Sequence, residues 1–294
     1  MPSYLCTVLL LSTAALAAVE PYTARPIGST KAPYGYLEHV PADLAAAPKR
    51  KRPLVIFLHG LGELGDSDKD LPKVAGAGPL KLIARNDPLA KIFVTQSAII
   101  LAPQGLKADG WWKTEKLTAF LDYALSAYPV DLDRVYITGL SMGGGGTWSL
   151  ATAAADKIAA IVPICGAAGP GNVASLHDMP IWAFHAFGDQ TVKFADNTQK
   201  WFDAILADRG AKPVGGVMEG YTHNDKPWTA TLDKSWAWQV SDTPPQPVAK
   251  RLLTLTVFPD SSHDSWTRAY ANPALWPWLF AQKRASTAVA PKKK

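Results

Sequence analysis

Arg134-Val135-Tyr136-Ile137-Thr138-Gly139-Leu140-Ser141-Met142-Gly143-Gly144-Gly145-Gly146-Thr147-Trp148 is the stretch that decides the fold. Its first part, Arg134 to Thr138, is a short apolar run that reads as a strand. Its last part passes through small residues into a helical pattern that continues over Ser149-Leu150-Ala151. A G-x-S-x-G pattern set between a strand and a helix is a nucleophile elbow. The turn is so sharp that the serine adopts a strained backbone, and only small residues at the two glycine positions avoid a clash. Such a turn lifts the Ser141 hydroxyl to the carboxyl edge of a parallel sheet. A glycine-rich turn around a buried serine would read similarly, so the interpretation depends on what else reaches that edge.

Three further segments reach it. Pro53-Leu54-Val55-Ile56-Phe57-Leu58 is a continuous apolar run, as expected of a strand buried on both faces. It leads into His59-Gly60-Leu61-Gly62-Glu63-Leu64-Gly65, a loop able to aim a backbone N–H at a developing oxyanion. The N–H groups of Leu61 and of Met142, directly after the serine, are the expected pair of donors. Pro180 to Phe187 reads as another buried strand and delivers Gly188-Asp189, and Leu252 to Phe258 is followed by Pro259-Asp260-Ser261-Ser262-His263-Asp264-Ser265-Trp266. Ser141, Asp189 and His263 therefore each fall just after a strand, in the chain order Ser…Asp…His.

These residue types suit acyl transfer. A serine hydroxyl needs a base to take its proton, and the histidine His263 suits that task. Asp189 would fix the imidazole tautomer and stabilise the imidazolium that forms. Asp260 and Asp264 are rival acids, but they share the loop of His263 and cannot easily reach behind its ring. His59 is expected to shape the oxyanion loop, and His185, inside a strand, to be a hydrogen-bonded core residue; His177 and His223 fall in polar connections. Glu63 is either a salt-bridge partner bracing its loop or a substrate contact. The scheme calls for no metal and no organic cofactor.

His59-Gly60-Leu61-Gly62-Glu63, Ala102-Pro103-Gln104, Trp111-Trp112, Gly139-Leu140-Ser141-Met142-Gly143-Gly144, Pro163-Ile164-Cys165-Gly166, Phe184-His185-Ala186-Phe187-Gly188-Asp189 and His263-Asp264-Ser265-Trp266 together carry a family resemblance. The chain resembles the phospholipase/carboxylesterase and predicted-peptidase branch of the α/β-hydrolases, near the dienelactone hydrolases and the secreted polyester and feruloyl esterases. The resemblance spans roughly residues 35–283. It implies an α/β fold, a mostly parallel central sheet with helices on both faces, and a Ser-His-Asp esterase. Two departures stand out: Ala186 replaces a glycine common in relatives, and segment 221–250 is longer than the usual link into the last strand.

The rest of the chain agrees with an α/β alternation. Leu117 to Tyr128 and Lys193 to Arg209 have apolar residues at helical spacing, while Ile99 to Leu101 and Ala159 to Ile164 read as strands. With 294 residues, 48 % hydrophobic and 19 % charged, the chain can bury a large single core. Of the formal charge of +5, three units come from Lys292-Lys293-Lys294, so a basic surface for nucleic acid is not indicated and no nucleic-acid partner is expected.

Residues 5–19 are an apolar run ending in Ala15-Leu16-Ala17-Ala18, which reads as an export signal over 1–18, although no Lys or Arg precedes it. Its length falls short of a membrane span, so the mature chain is expected to have none and to be secreted or periplasmic. Cleavage would remove Cys6 and leave Cys165 without a partner. The expected organisation is then an N-terminal extension over 19–34, a catalytic domain over 35–284 and a basic tail over 285–294.

The substrate is the least legible part. Segment 221–250 carries Trp228, Trp236 and Trp238 and could fold over the site as a lid, or its tryptophans could only pack a long loop. Trp112, Glu63 and Trp228 are the expected substrate contacts, and aromatic faces there suit small-molecule or polymer-borne esters. The triad alone does not separate ester from amide cleavage, which leaves a serine peptidase as the alternative enzyme. An inactive hydrolase fold used for binding is the non-enzyme alternative, and the intact Ser141, Asp189 and His263 speak against it. Oligomeric state is not legible.

Overall fold

Arg52–Leu58 (β3) and Ile99–Pro103 (β4) are buried over their full lengths and pair in parallel, which is why neither shows an apolar/polar alternation. They belong to a sheet described here in a computed structural model. The structure describes residues 21–210, 228–232, 238–241 and 253–284, with only the backbone of 228–232 and 238–241. Besides β3 and β4, its strands are Thr23–Arg25 (β1), Tyr36–His39 (β2), Val130–Leu140 (β5), Ala160–Ile164 (β6), Ile181–Ala186 (β7), Trp228–Leu232 (β8), Trp238–Ser241 (β9) and Leu253–Phe258 (β10). They form one sheet in the order β1-β2-β4-β3-β5-β6-β7-β10-β8-β9. From β4 to β10 all neighbours are parallel; β1, β2, β8 and β9 join antiparallel at the two edges. The expected mostly parallel sheet is therefore present.

Helices cover both faces, and alternate strand residues show it. Leu54, Ile56, Leu58, Val135 and Ile137 share one core with Phe120, Trp148 and Trp201, which lie on Thr114–Ala127 (α3), Met142–Ala153 (α4) and Thr198–Asp208 (α5). Val55, Phe57, Ile100, Tyr136 and Val162 share the other with Leu80, Phe93, Ala269 and Trp276. These four sit on Gly78–Ala84 (α1), Lys91–Thr95 (α2), Trp266–Tyr270 (α6) and Leu275–Ala281 (α7). The period of two along each strand sends successive side chains to opposite layers.

Some boundaries differ from the sequence reading. The helix expected over 193–209 starts at Thr198, because the Phe194 carbonyl accepts the N–H groups of Asn197 and Gln199 and closes a turn first. Part of segment 221–250 is not a separate flap: β8 and β9 form a hairpin that extends the sheet beside β10. In the expected 19–34 extension, β1 pairs with β2, and Ala32 and Tyr34 are buried. The export signal over 1–18 with Cys6, the remainder of 221–250 with His223 and Trp236, the Trp228 side chain and the 285–294 tail lie outside the described residues.

The end of α7 is clamped to the start of β5. The Tyr136 hydroxyl donates to the Gln282 carbonyl at 2.8 Å, Arg284 N–H donates to the Asp133 carbonyl at 2.9 Å, and the Arg284 guanidinium reaches Asp133 and the Asp156 carbonyl. No helix among the described residues is long and apolar enough to cross a membrane.

Candidate active site

Ser141 stands between β5 and α4 with φ 52° and ψ −119°. This is the left-handed side of backbone space, which a non-glycine residue occupies only when its surroundings hold it there. Here Ser141 N–H donates to the Ile164 carbonyl at 2.9 Å, and the Ser141 carbonyl accepts from Gly145 and Ala167, each at 3.0 Å. The flanking glycines are required by close approach. A Cβ at Gly139 would lie 2.4 Å from the Gly143 carbonyl oxygen, and one at Gly143 only 2.0 Å from that of Leu58.

His263 and Asp189 arrive from β10 and β7, which are neighbours in the sheet. The turns that follow these strands are laced together: Phe187 N–H donates to the Phe258 carbonyl at 2.8 Å, and Gly188 N–H to that of Asp260 at 3.0 Å. In this frame Ser141 Oγ donates to His263 Nε2 at 2.9 Å, and His263 Nδ1 donates to Asp189 Oδ2 at 2.7 Å. The Trp266 ring meets the His263 ring edge-on with centroids 5.4 Å apart.

The Asp189 side chain is inaccessible to solvent, yet its charge is well supplied with donors. Oδ1 accepts the N–H groups of Thr191 and Val192 at 2.9 and 3.0 Å, and Oδ2 also lies 3.4 Å from His185 Nε2. Burial works against the ionised form, but the bonds from His185, His263 and Val192 outweigh it and hold the carboxyl well below the usual carboxylate range. The rival acids have other tasks. Asp260 is bound by Arg268, and Asp264 caps the next helix through Thr267 N–H at 2.9 Å.

His185 is a fully buried core histidine, with Nε2 donating to the Val192 carbonyl at 2.7 Å and Nδ1 on the Thr198 hydroxyl at 2.8 Å. Its approach to Asp189 was not visible in the sequence, although a spacing of four residues across a strand end was the available hint.

The expected oxyanion donors occupy equivalent positions. Leu61 opens a 3₁₀ turn over Leu61–Glu63, and Met142 opens α4. The N–H of a first helical residue has no acceptor inside its helix. His59 holds the loop: Nδ1 donates to the Gly60 carbonyl at 2.6 Å, and Nε2 accepts from Gly105 N–H at 2.8 Å. Burial pushes its pKa down to about 4, so the ring is neutral. Gln104, unassigned from the sequence, is a second brace: its fully buried amide donates to the Glu63 and Asp70 carbonyls and accepts from Ser67 N–H.

Trp112 requires a correction. Expected as a substrate contact, it is 4 % exposed. Its Nε1 donates to the His59 carbonyl at 3.2 Å, its ring packs on His59 at 4.8 Å, and Tyr34 meets it edge-on. A Cβ on Gly146 would lie 3.0 Å from it. Trp112 is therefore wedged between the His59–Glu63 loop and α4. Among the described residues, the large exposed apolar side chains on this edge are Leu61, Trp111 and Phe187, each on a loop that follows a strand.

Glu63 forms no salt bridge with Lys or Arg among the described residues; its nearest basic group is His59 Nδ1, at 3.9 Å. Cys165 Sγ, Asp189 and His263 offer atoms within 4.8 Å of one another, the one metal-like grouping among the described residues. Two of the three already bond each other, and burial pushes the Cys165 thiol up, so it stays protonated and ligates poorly.

No protein-family model matches the chain. It is similar to feruloyl esterase D of Neurospora crassa, 28 % identical over 158 residues that cover 49 % of this chain and 54 % of that protein. It is also similar to the bifunctional acetylxylan esterase/xylanase XynS20E of Neocallimastix patriciarum, 25 % identical over 162 residues, 53 % of this chain and 22 % of that one. The chain thus spans about half the length of the first relative and under a quarter of the second. Among solved structures, a thermostable esterase matches with a TM-score of 0.61 and 26 % identity, over 90 % of this chain and 63 % of that one. The fold is that of the α/β-hydrolases, and the likenesses fall in their esterase branch.

Proposed function

We propose that this protein is a serine hydrolase that cleaves carboxylic esters through an acyl-enzyme. The observation that carries the reading is the unbroken hydrogen-bond chain from Ser141 Oγ through His263 to Asp189, set on a strained elbow. In the first half-reaction Ser141 Oγ attacks the ester carbonyl carbon while His263 Nε2 takes the hydroxyl proton. The oxyanion accepts the N–H groups of Leu61 and Met142; losing one such donor typically costs about 3–4 kcal/mol of barrier. Collapse breaks the ester C–O bond, and His263 returns its proton to the leaving alkoxide. Water then repeats the sequence on the acyl-serine, releasing the acid. Asp189 stays ionised throughout and stabilises the imidazolium.

The substrate we propose is a small-molecule or polymer-borne ester of the feruloyl or acetyl kind, following the names of the two curated relatives. The exposed apolar rim of Leu61, Trp111 and Phe187 supports an aryl or acyl contact there. We further propose that the protein acts after export, on the strength of the leader-like residues 1–18.

The test is hydrolysis of 4-nitrophenyl acetate, butyrate and octanoate, methyl ferulate and acetylated xylan by the wild type and Ser141→Ala. Serine-dependent turnover of at least one ester is expected, with the variant reduced by about 10⁴-fold or more. Turnover that survives in Ser141→Ala, or none with any ester, would overturn the proposal.

A further inference from the structure

Glu63 stands beside the nucleophile, and the acyl-transfer scheme leaves it without a task. A methyl group placed on Gly60 would lie 3.3 Å from Glu63 Oε2 and 3.8 Å from Ser141 Cβ. The carboxylate and the reacting serine thus flank the same glycine, which directly precedes the proposed donor Leu61. Among the described residues, no Lys or Arg pairs with this carboxylate. The His59 ring at 3.9 Å is neutral, with its Nδ1–H already given to the Gly60 carbonyl. Lys73 and Lys107 pair with Asp70, and Lys116 with Asp109. Burial pushes the Glu63 carboxyl up from its ordinary value, and the backbone N–H groups of Glu63 and Gly60 oppose that shift without reversing it. The Gln104 amide braces the same loop independently of this side chain, through the Glu63 backbone carbonyl.

We propose that Glu63 makes this site discriminate by charge: it favours neutral acyl groups, disfavours acyl groups that carry their own carboxylate, and speeds departure of the acid product. The inference rests on the ester-hydrolase reading. Hydrolysis converts a neutral ester into an anion at neutral pH, and that anion forms with one oxygen at the Leu61 and Met142 N–H groups, next to Glu63. A substrate is thus received without repulsion and its product is repelled. Across a partly solvated gap of several ångströms such repulsion amounts to about tenfold in a rate or binding ratio.

The experiment compares two esters of nearly equal shape, 4-nitrophenyl levulinate (neutral) and mono-4-nitrophenyl succinate (anionic), with wild type and E63Q at about pH 8 and low salt. The expected wild-type kcat/KM favours the neutral ester by about tenfold, E63Q narrows the ratio to within about twofold, and acetate inhibits E63Q more strongly than wild type. Equal use of both esters by the wild type, or a ratio that persists in E63Q, overturns the proposal. If E63Q does not fold, the wild type still decides: its preference must shrink as NaCl rises from about 0.02 to about 0.5 M, and a salt-independent preference overturns the inference. Turnover of neither ester by the wild type is a different result, because it removes the ester reading itself.

Discussion

At the scale of single residues, the site divides its acids by environment rather than by distance along the chain. Asp260 and Asp264 are nearer to His263 in sequence, yet Asp189 is the carboxylate that its Nδ1 meets. Asp189→Asn is therefore expected to lower kcat by about 10³–10⁴ through the wrong imidazole tautomer. Asp260→Asn, which loosens the Arg268 pair and keeps an Oδ1 acceptor for Ser262 N–H, should cost less than about 1 kcal/mol of stability and little activity; steady-state kinetics with thermal melts of both variants check this. His59 gives a prediction in pH. Below about 6.5 the unfolded imidazole binds a proton, while buried His59 resists until about 4. Stability supplied by the neutral ring is thus complete above pH 6.5 and lost as pH falls toward 4, by up to about 3 kcal/mol. Urea melts across that window should slope less steeply in His59→Gln. That Ser141, Asp189 and His263 meet in one hydrogen-bonded chain was legible because each residue type stood just past a strand. Trp112 was not: nothing in Trp111-Trp112 says which ring faces inward, a choice made by His59, Tyr34 and Gly146 from distant parts of the chain.

At the scale of elements, α4 is a helix that its own composition disfavours, since each of Gly143 to Gly146 gives up about 1 kcal/mol of helix propensity relative to Ala. The glycines are there because α4 lies directly on backbone: that of β3 and its loop against Gly143, and that of β6 and the residues beyond it against Gly144 and Gly145. Gly143→Ala should lower stability by more than about 3 kcal/mol or prevent folding. Gly62→Ala, in open space on the oxyanion loop, should change it by less than about 0.5 kcal/mol; paired thermal denaturation separates the two. Trp112→Phe tests the corrected role of that ring. A support beneath the oxyanion loop should lose kcat and stability together and leave KM within about twofold, whereas a substrate contact would raise KM. The central strands were legible because burial on both faces leaves unbroken apolar runs. The edge strands β1, β2, β8 and β9 were not, being short and defined by their neighbours more than by their own pattern.

At the scale of the whole molecule, one sheet separates two apolar layers, and the turns carrying Asp189 and His263 are tied across its carboxyl edge by the backbone bonds from Phe187 and Gly188. Trp148 stacks on Trp201 with centroids 4.4 Å apart in the layer beneath the elbow. Trp148→Ala should cost about 3–5 kcal/mol and lower the melting temperature of the protein as a unit, as calorimetry would record, because the layer it vacates is shared by α3, α4 and α5. The opposite edge has a consequence of its own. The clamp from Arg284 to Asp133 fixes the point where the chain leaves α7 at the beginning of β5, whereas Ser141 stands at the end of that strand. Whatever is carried beyond Arg284 is thus attached at the back of the molecule. A bead, a surface or a partner protein joined directly at Arg284 would leave the Ser141 end facing outward, and a bulky molecule could still meet it face on.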